Sequence, residues 1–558
     1  MIQLGLAAFY HDAAACIVID GKVTSAVEEE RFTEIKHDYS FPYNAIEWVL
    51  KDNKLTLEDI DEVCWYEKPE VKKERVLKTF NKHFFKTLFT RYRFLKEFKA
   101  NNPESLLKEL GYNGTIKYID HHLSHAAFSY FTSKYEDAAI LTVDGVGEWE
   151  TVTISSAKGS EITKKISIDF PNSLGMLYST ITAYLGFKPN EGEYKVMGLA
   201  PYGDPSKYIQ QLADLFSYTS NKFTIDQKPF TWEYSDKVMF NKALYKQLGI
   251  LPRLPEEEVT QDHKDLAAAL QKTYEREFLR LVETAKKITN SDNLVLGGGC
   301  AYNGVANSLA YKYFKSIHIP FAPSDAGSAI GACMMSMIEE TGLTKRINNQ
   351  SPYLGPEYSD LSVQIALNKY NVSYTLLSES KLIKATAHAI HAGNIVAWFQ
   401  GKMEFGARAL GNRSILATPL KADMRSKLNF VIKKREGFRP FAPSMIKGED
   451  TKWFKAKEDI PYMNQVVKVK NYEKGVNHFP SATHVDGTAR VHTVTKRQNR
   501  KYYALLEEVK RISGYGVVLN TSYNLKDQTI TMNPEQAIER FLSSEINYLV
   551  INNYLIQK

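Results

Sequence analysis

The chain uses one short design twice, and that repetition limits the folds open to it. Apolar runs at residues 2–9 and 13–19 lead into Asp20-Gly21-Lys22, and a further run covers 23–28. Asp-Gly between apolar runs is a strong β-hairpin signal. Residues 138–143, Asp144-Gly145 and residues 151–155 repeat the arrangement. Two such units, each bringing acidic and glycine residues to one point, predict a duplicated α/β fold around a nucleotide-type cleft. Between them, residues 70–110 read as a helical insert. Farther on, Leu266, Leu270, Tyr274, Phe278 and Val282 share one face of a helix expected over 262–289. It feeds a strand at 293–296 and then Gly297-Gly298-Gly299, a loop that either brings N–H groups to a phosphate or makes a tight connection.

At 558 residues the chain should hold two or more domains. A polar stretch from Thr344 to Asp360, with Pro352, Gly355 and Pro356, reads as a linker, and the boundary is placed near residue 355. Fresh helix and strand signals follow at 382–391 and 395–399. No apolar run approaches a membrane span, and residues 1–9 read as a first strand, not a signal peptide. Four scattered cysteines lack metal or redox spacing, which fits the reducing cytoplasm. Any metal must then sit on His and carboxylate, which leaves iron and zinc both open.

Residues 118–130 carry His121 and His125, stacked on one face of a helix that can start at Asp120. Imidazoles at that spacing suit two ligands of one metal ion. Acidic segments at 141–148 and 322–328 can close such a site. A second concentration of charge lies at 72–99, where ten basic residues face only Glu74 and Glu97, with seven aromatics interleaved. It reads either as a solvated face of a helical pair or as a docking face for a polyanion. The third lies at 401–444, where Lys402, Arg408, Arg413, Arg425, Lys433, Lys434, Arg435 and Arg439 sit among Gly, Ala, Phe and Pro. Arginine forks and serine hydroxyls near glycine turns suit a polyphosphate site. A strand at 516–519 runs into a polar loop at 520–524.

With these segments in view the chain resembles the NodU/CmcH family of O-carbamoyltransferases along nearly its whole length. The likeness is carried by residues 9–16, 28–32, Lys36-His37, 121–127, 143–148, 191–203, 297–303, 402–414, 438–444 and 520–524. It implies a Kae/TsaD-like ASKHA (actin-like ATPase) domain over 1–345, a linker over 346–360 and a YrdC-like α/β domain over 361–558. It further implies two steps: carbamoyl-adenylate formation from carbamoyl phosphate and ATP (with Mg2+), then carbamoyl transfer to an acceptor hydroxyl.

By that resemblance His121, His125, Asp144 and Asp325 hold a metal, expected to be Fe2+, and His11 beside Asp12 is the general base. Gly147, Lys195, Gly297, Gly298, Gly299 and Asn303 are expected at the nucleotide of the first domain. Lys402, Arg408, Arg413, Arg439, Ser444, Arg490, Asn520 and Ser522 are expected at carbamoyl phosphate and ATP in the second. His122 is read as a supporting or structural residue. The acceptor is a small metabolite, a nucleotide or a hydroxymethylpyrimidine in DNA, with no membrane partner expected. An ASKHA-type kinase or ATPase and a nucleic-acid-binding protein are the rival readings.

Overall fold

A computed structural model describes residues 1–235, 237–342 and 351–558 of the chain. Residues 1–29 and 37–350 group as one compact unit, and residues 30–36 with 351–558 as a second. Among the described residues no helix is long and apolar enough to cross a membrane.

The first unit is built on two five-stranded sheets. The first holds β1 (Ile2–Ala7), β2 (Ala14–Ile19), β3 (Lys22–Glu28), β4 (Glu62–Trp65) and β5 (Thr115–Tyr118), in the order β3-β2-β1-β4-β5. The second holds β6 (Asp137–Val143), β7 (Glu150–Lys158), β8 (Glu161–Asp169), β9 (Asn293–Gly297) and β10 (Ser316–His318), in the order β10-β9-β6-β7-β8. Each begins with an antiparallel meander of three strands. Each then adds two parallel strands on the other side of the first strand. The topology is therefore the same twice, as the repeated hairpin design requires. Asp20 and Gly21 both have positive φ, 48° and 76°, which is the turn that matches strand twist between β2 and β3. Asp144-Gly145 does not make a comparably tight turn. Residues 144–149 form a wider loop between β6 and β7, and Asp144 is released from turn duty.

The helices of this unit include α1 (Pro69–Lys82), α2 (Phe84–Ala100), α3 (Pro103–Glu109), α4 (His121–Phe131), α5 (Gln261–Thr289) and α6 (Asp325–Thr341). The first three are the expected insert. α6 packs on β1, β2 and β4 of the first sheet, α4 packs on β6, β7 and β9 of the second, and the two helices pack on each other. Gly331 makes their close approach possible. A Cβ there would lie 1.9 Å from the Ser124 carbonyl oxygen. This crossing brings the N-terminal ends of α4 and α6 together, at the ends of β6 and β9.

The second unit holds an eight-stranded mixed sheet with helices on both faces. Its strands are β11 (Thr375–Leu376), β12 (Val396–Phe399), β13 (Arg413–Ala417), β14 (Ala442–Ile446), β15 (His492–Val494), β16 (Val517–Ser522), β17 (Tyr548–Ile551) and β18 (Tyr554–Gln557). Their order is β11-β18-β17-β12-β13-β16-β14-β15. Alternate side chains go to opposite faces. Ala397 and Phe399 join a core with α7 (Asp360–Lys369) and α10 (Pro534–Leu542), while Val396 and Trp398 join one with α8 (Glu379–Ala392) and α9 (Arg500–Ser513).

Residues 351–360, read as linker, are tied into this unit instead. The Gly355 N–H reaches Met403 O at 3.0 Å, Met403 N–H reaches Pro356 O at 3.0 Å, and Phe405 N–H reaches Pro352 O at 2.8 Å. Prolines and glycine signalled irregular backbone correctly, but irregular backbone can still find partners. Residues 343–350 of the expected linker lie outside the described residues. Residues 30–36 also belong here: Arg31 donates to Gly406 O at 3.1 Å and Arg540 to Glu34 at 2.6 Å.

Candidate functional site

α4 starts at His121, directly after Asp120, whose side chain makes no capping bond. Glu148 takes that role. Its two oxygens accept the His121 N–H at 3.1 and 3.2 Å, which places a carboxylate at a helix N-terminus. Burial raises the Glu148 carboxyl above the ordinary range, against the opposing effects of His121 and the Lys68 N–H.

One turn apart on this helix, His121 and His125 face each other with Nε2 atoms 3.1 Å apart. Asp144 Oδ2 lies 2.9 Å from His121 Nε2 and 3.4 Å from His125 Nε2. Asp325 Oδ1, from the first residue of α6, lies 3.7 and 3.4 Å from the same nitrogens. The four donor atoms all lie within 4.8 Å of one another, and all four residues are buried. Among the described residues neither oxygen of Asp325 nor His121 Nδ1 has a hydrogen-bond partner. A buried carboxylate without a donor is costly unless a cation completes it. Two imidazoles and two carboxylates converging on one point fit a divalent transition metal. Ser328 Oγ, 2.8 Å from His125 Nδ1, fits the tautomer that leaves Nε2 open to a ligand.

The charges bear on each other. Burial alone would lower His121, but Asp325 and Asp144 outweigh it and raise it to about 9. Burial alone would raise Asp144, but the bonds from His121 and His125 hold it well below the carboxylate range. His122 points away to Thr142 Oγ1 at 2.6 Å, and burial followed by the charge of His121 keeps it neutral. His11 is half-buried, and desolvation lowers it, yet Asp325, Asp12 and Asp144 together raise it to about 10. Asp12 bridges two imidazoles, His11 Nδ1 at 3.1 Å and His37 Nδ1 at 2.6 Å.

The glycines expected at a nucleotide pack around the cluster of His121 and Asp144. Gly298 has φ of 84°, and a Cβ there would lie 2.3 Å from Val143 O. Gly299 donates its N–H to Asp144 Oδ1 at 3.0 Å. A Cβ on Gly147 would lie 2.9 Å from Cδ2 of His121, so the loop after β6 rests against that ring. Gly297 runs past Ser129 of α4. Asn303 caps a short helix through Ala306 N–H at 3.1 Å and pairs with Gln271 on α5 at 3.0 and 3.1 Å. Lys195 lies over the Phe187 ring at 5.7 Å.

In the second unit the basic constellation divides into two groups. Arg413 is fully buried, with its guanidinium on the carbonyls of Gln400, Asn412, Pro356 and Gly401 at 2.6 to 3.1 Å. Burial pulls it down to about 10. Glu404 accepts the N–H groups of Leu410, Asn412 and Arg413 at 2.7, 2.7 and 3.3 Å. The turn expected to cradle phosphate thus already holds a carboxylate, and Arg413 clamps the loop. Lys402 supplies its carbonyl to Asn412 Nδ2 at 2.7 Å. Ser444 is buried with His492 Nδ1 at 2.7 Å and Asn520 Nδ2 at 2.9 Å. Ser522 Oγ donates to Asn524, beside the buried Lys433 ammonium.

The second group is different. Arg490 is held well below its ordinary value by burial and then by the like charges of Arg408, Arg435 and Arg439. Lys433 is lowered in the same way by burial, Arg435 and Arg439. Mutually repelling guanidiniums at one place fit a site for a multiply charged anion.

Comparison with known proteins decides the family. The model "Carbamoyltransferase N-terminus" matches residues 2–334, and "Carbamoyltransferase C-terminus" matches residues 387–558. The chain belongs to the carbamoyltransferase family. Protein sll1178 of Synechocystis is 38% identical over 100% of this chain and 96% of its own length. Nodulation protein NolNO of Sinorhizobium fredii is 34% identical over 99% of this chain and 79% of its own. The 3'-hydroxymethylcephem-O-carbamoyltransferase of Streptomyces clavuligerus is 30% identical over 59% and 58%.

In this carbamoyltransferase several side chains escape a reading of the sequence. Glu148 and Ser328 lie inside the acidic segments, and Ser328 is one turn after Asp325, which is a usable signal. His37 lies inside the quoted Lys36-His37 pair, but nothing local ties it to Asp12. Nothing in the basic run Lys433-Lys434-Arg435 shows that Arg435 meets Arg490, and His492 carries no motif at all.

Proposed function

We propose that this carbamoyltransferase is an ATP-dependent O-carbamoyltransferase working in two steps. In the first, carbamoyl phosphate is hydrolysed to carbamate and phosphate. A carbamate oxygen attacks the α-phosphorus of ATP, the bond to the β-phosphate breaks, and pyrophosphate leaves with carbamoyl-adenylate formed. In the second, an acceptor hydroxyl oxygen attacks the carbamoyl carbon, the bond to AMP breaks, and the hydroxyl proton passes to a base. The observation that carries the reading is that Arg408, Arg435 and Arg439 act on the charge of Arg490, a gathering of cations that suits a polyanion and that carbamoyl transfer from a neutral donor would not need.

The first step is assigned to the second unit, with its YrdC-like reading kept as part of the proposal. There the arginines align two anions and offset the charge that develops on pyrophosphate. Arg413 and Glu404 keep the loop shaped, and Ser444 and Asn520 hold β14 against β16. Mg2+ accompanies ATP. The second step is assigned to the first unit, where His121, His125, Asp144 and Asp325 would hold Fe2+. When bound, that ion supplies a Lewis acid for the carbamoyl oxygen or the adenylate phosphate. His11 takes the acceptor proton, with Asp12 orienting its ring. Asp144 and Asp325, which hold His11 protonated through their field, are the charges that ligation would offset. Gly147, Lys195, Gly297–Gly299 and Asn303 line the adenylate's approach in this reading.

The acceptor is proposed as a hydroxyl of a small metabolite or a nucleotide. Offering metal-loaded protein ATP, carbamoyl phosphate and a hydroxyl panel tests the whole scheme. Pyrophosphate should appear only with carbamoyl phosphate present, and a carbamoylated product should follow. ATP turnover to ADP without carbamoyl phosphate would favour a kinase or ATPase.

A further inference from the structure

The basic charge of the helical insert is not uniform. On α1, Lys72 pairs with Glu67 at 2.9 Å, Lys73 with Glu70 at 3.0 Å, Lys82 with Glu233 at 2.8 Å, and Lys78 with Glu74. On α2, Lys86, Arg91, Lys96 and Lys99 meet no carboxylate among the described residues, and Arg93 is 3.8 Å from Glu97, the one acid of the helix. The exposed cations of the insert that meet no carboxylate therefore gather on α2.

α2 also has an apolar face that the described residues leave largely uncovered. Its inner side rests on α1 through Thr87, Phe94 and Phe98, with Phe94 6.0 Å from the Phe80 ring and Lys73 over Phe98 at 4.8 Å. The opposite side exposes Phe84, Phe85, Leu88, Phe89, Tyr92 and Leu95. Phe85 is 90% exposed, Phe89 92% and Tyr92 74%, which is extreme for aromatic rings. At 3.6 residues per turn these six side chains fill one arc of about 140°. Lys86 and Arg93 border it on one side and Arg91 on the other, and Lys96 and Lys99 continue it in the last turn.

We propose that α2 docks this carbamoyltransferase on the surface of an anionic lipid bilayer, with the arc in the headgroup–acyl boundary and the flanking cations on lipid phosphates. An apolar arc edged by cations with long apolar stems is the build of an interfacial helix. Charge complementarity selects this occupant. A second copy meeting the same face about a two-fold axis would set these cations against their own kind. Nucleic acid would use rings and cations, but Leu88 and Leu95 have no stacking partner there and complete a surface suited to hydrocarbon. The expectation of no membrane partner rested on the lack of a spanning segment, and surface docking needs none.

Flotation of the full chain with vesicles tests it. Phosphatidylcholine vesicles containing phosphatidylglycerol should capture the protein, and pure phosphatidylcholine should capture about tenfold less or lower still. Phe85→Ser/Phe89→Ser and, separately, Lys96→Glu/Lys99→Glu should each cut capture about tenfold. Both should keep carbamoyl-phosphate-dependent pyrophosphate release, which shows that they are folded. The proposal is overturned if phosphatidylglycerol vesicles capture nothing, or if capture survives Phe85→Ser/Phe89→Ser. It is overturned equally if that variant instead abolishes a concentration-dependent dimer, or if oligonucleotides displace the vesicles from the helix.

Discussion

The backbone N–H of Gly299 bonds Asp144 Oδ1 at 3.0 Å and so turns the other oxygen of Asp144 toward His121 and His125. A glycine loop at the end of β9 thereby sets the orientation of Asp144, a proposed metal ligand, at the end of β6. The neighbouring Gly298 makes this possible through its positive φ and its approach to Val143 O. Gly298→Ala should cost about 1–3 kcal/mol of stability and lower metal content as Asp144 shifts. Gly159→Ala, at φ 60° with open space around it, should cost about 1 kcal/mol and leave metal content unchanged. Thermal unfolding and elemental analysis of the two variants check this.

Ser328→Ala removes the partner of His125 Nδ1 without removing a ligand. Metal affinity should fall about 10- to 100-fold, the range for loss of a bond that orients a ligating histidine. Competition with a chelator of known affinity measures it. Asp325→Asn should lose the metal more completely, since it also removes a charge. The binding titration should report iron, and zinc in its place would correct the proposed cofactor.

Two arginines of the same basic constellation should behave oppositely. Arg413→Met leaves the buried Gln400 carbonyl without its donor, at a cost of about 1–3 kcal/mol, and strips Pro356 and Gly401 carbonyls of one donor each. Its melting temperature should fall steeply. Arg490→Met relieves repulsion with Arg408, Arg435 and Arg439, so the ligand-free fold should melt no lower than the parent. The same variant should lose pyrophosphate release and lose the upward shift in melting temperature that ATP confers by binding the folded state.

Stability should decline in acid partly through His492. Burial lowers it to about 3, against an ordinary value near 6.5. The folded state resists a proton that the unfolded state accepts. Its contribution is therefore present above about pH 6.5 and is lost as pH falls toward 3, at up to about 1.4 kcal/mol per pH unit. His492→Gln should flatten denaturation free energy against pH in that window by about one proton. An unchanged slope would show that His492 titrates normally.

Much of this architecture was legible because its signals are local. Asp20-Gly21 between apolar runs fixed a hairpin, and the spacing of His121 and His125 with two later acidic loops marked four side chains that the fold does bring together. What was not legible depends on partners distant in sequence. Arg413 and Arg490 each follow a glycine within three residues, yet one meets four carbonyls and the other meets arginines. Gly147 and Gly298 read as phosphate-loop glycines because closeness to a ring or a carbonyl leaves the same residue as closeness to a ligand. Residues 351–360 have linker composition, but their carbonyls and N–H groups find Met403, Phe405 and Arg413.

The central claim, two half-reactions with separate machinery, is tested most directly by His125→Ala. Pyrophosphate release and carbamoylated acceptor are to be measured in the same folded sample. Pyrophosphate release should stay near the parent rate while bound iron and carbamoylated acceptor are lost. Loss of both half-reactions together in folded protein, or acceptor carbamoylation that persists without metal, would contradict the account.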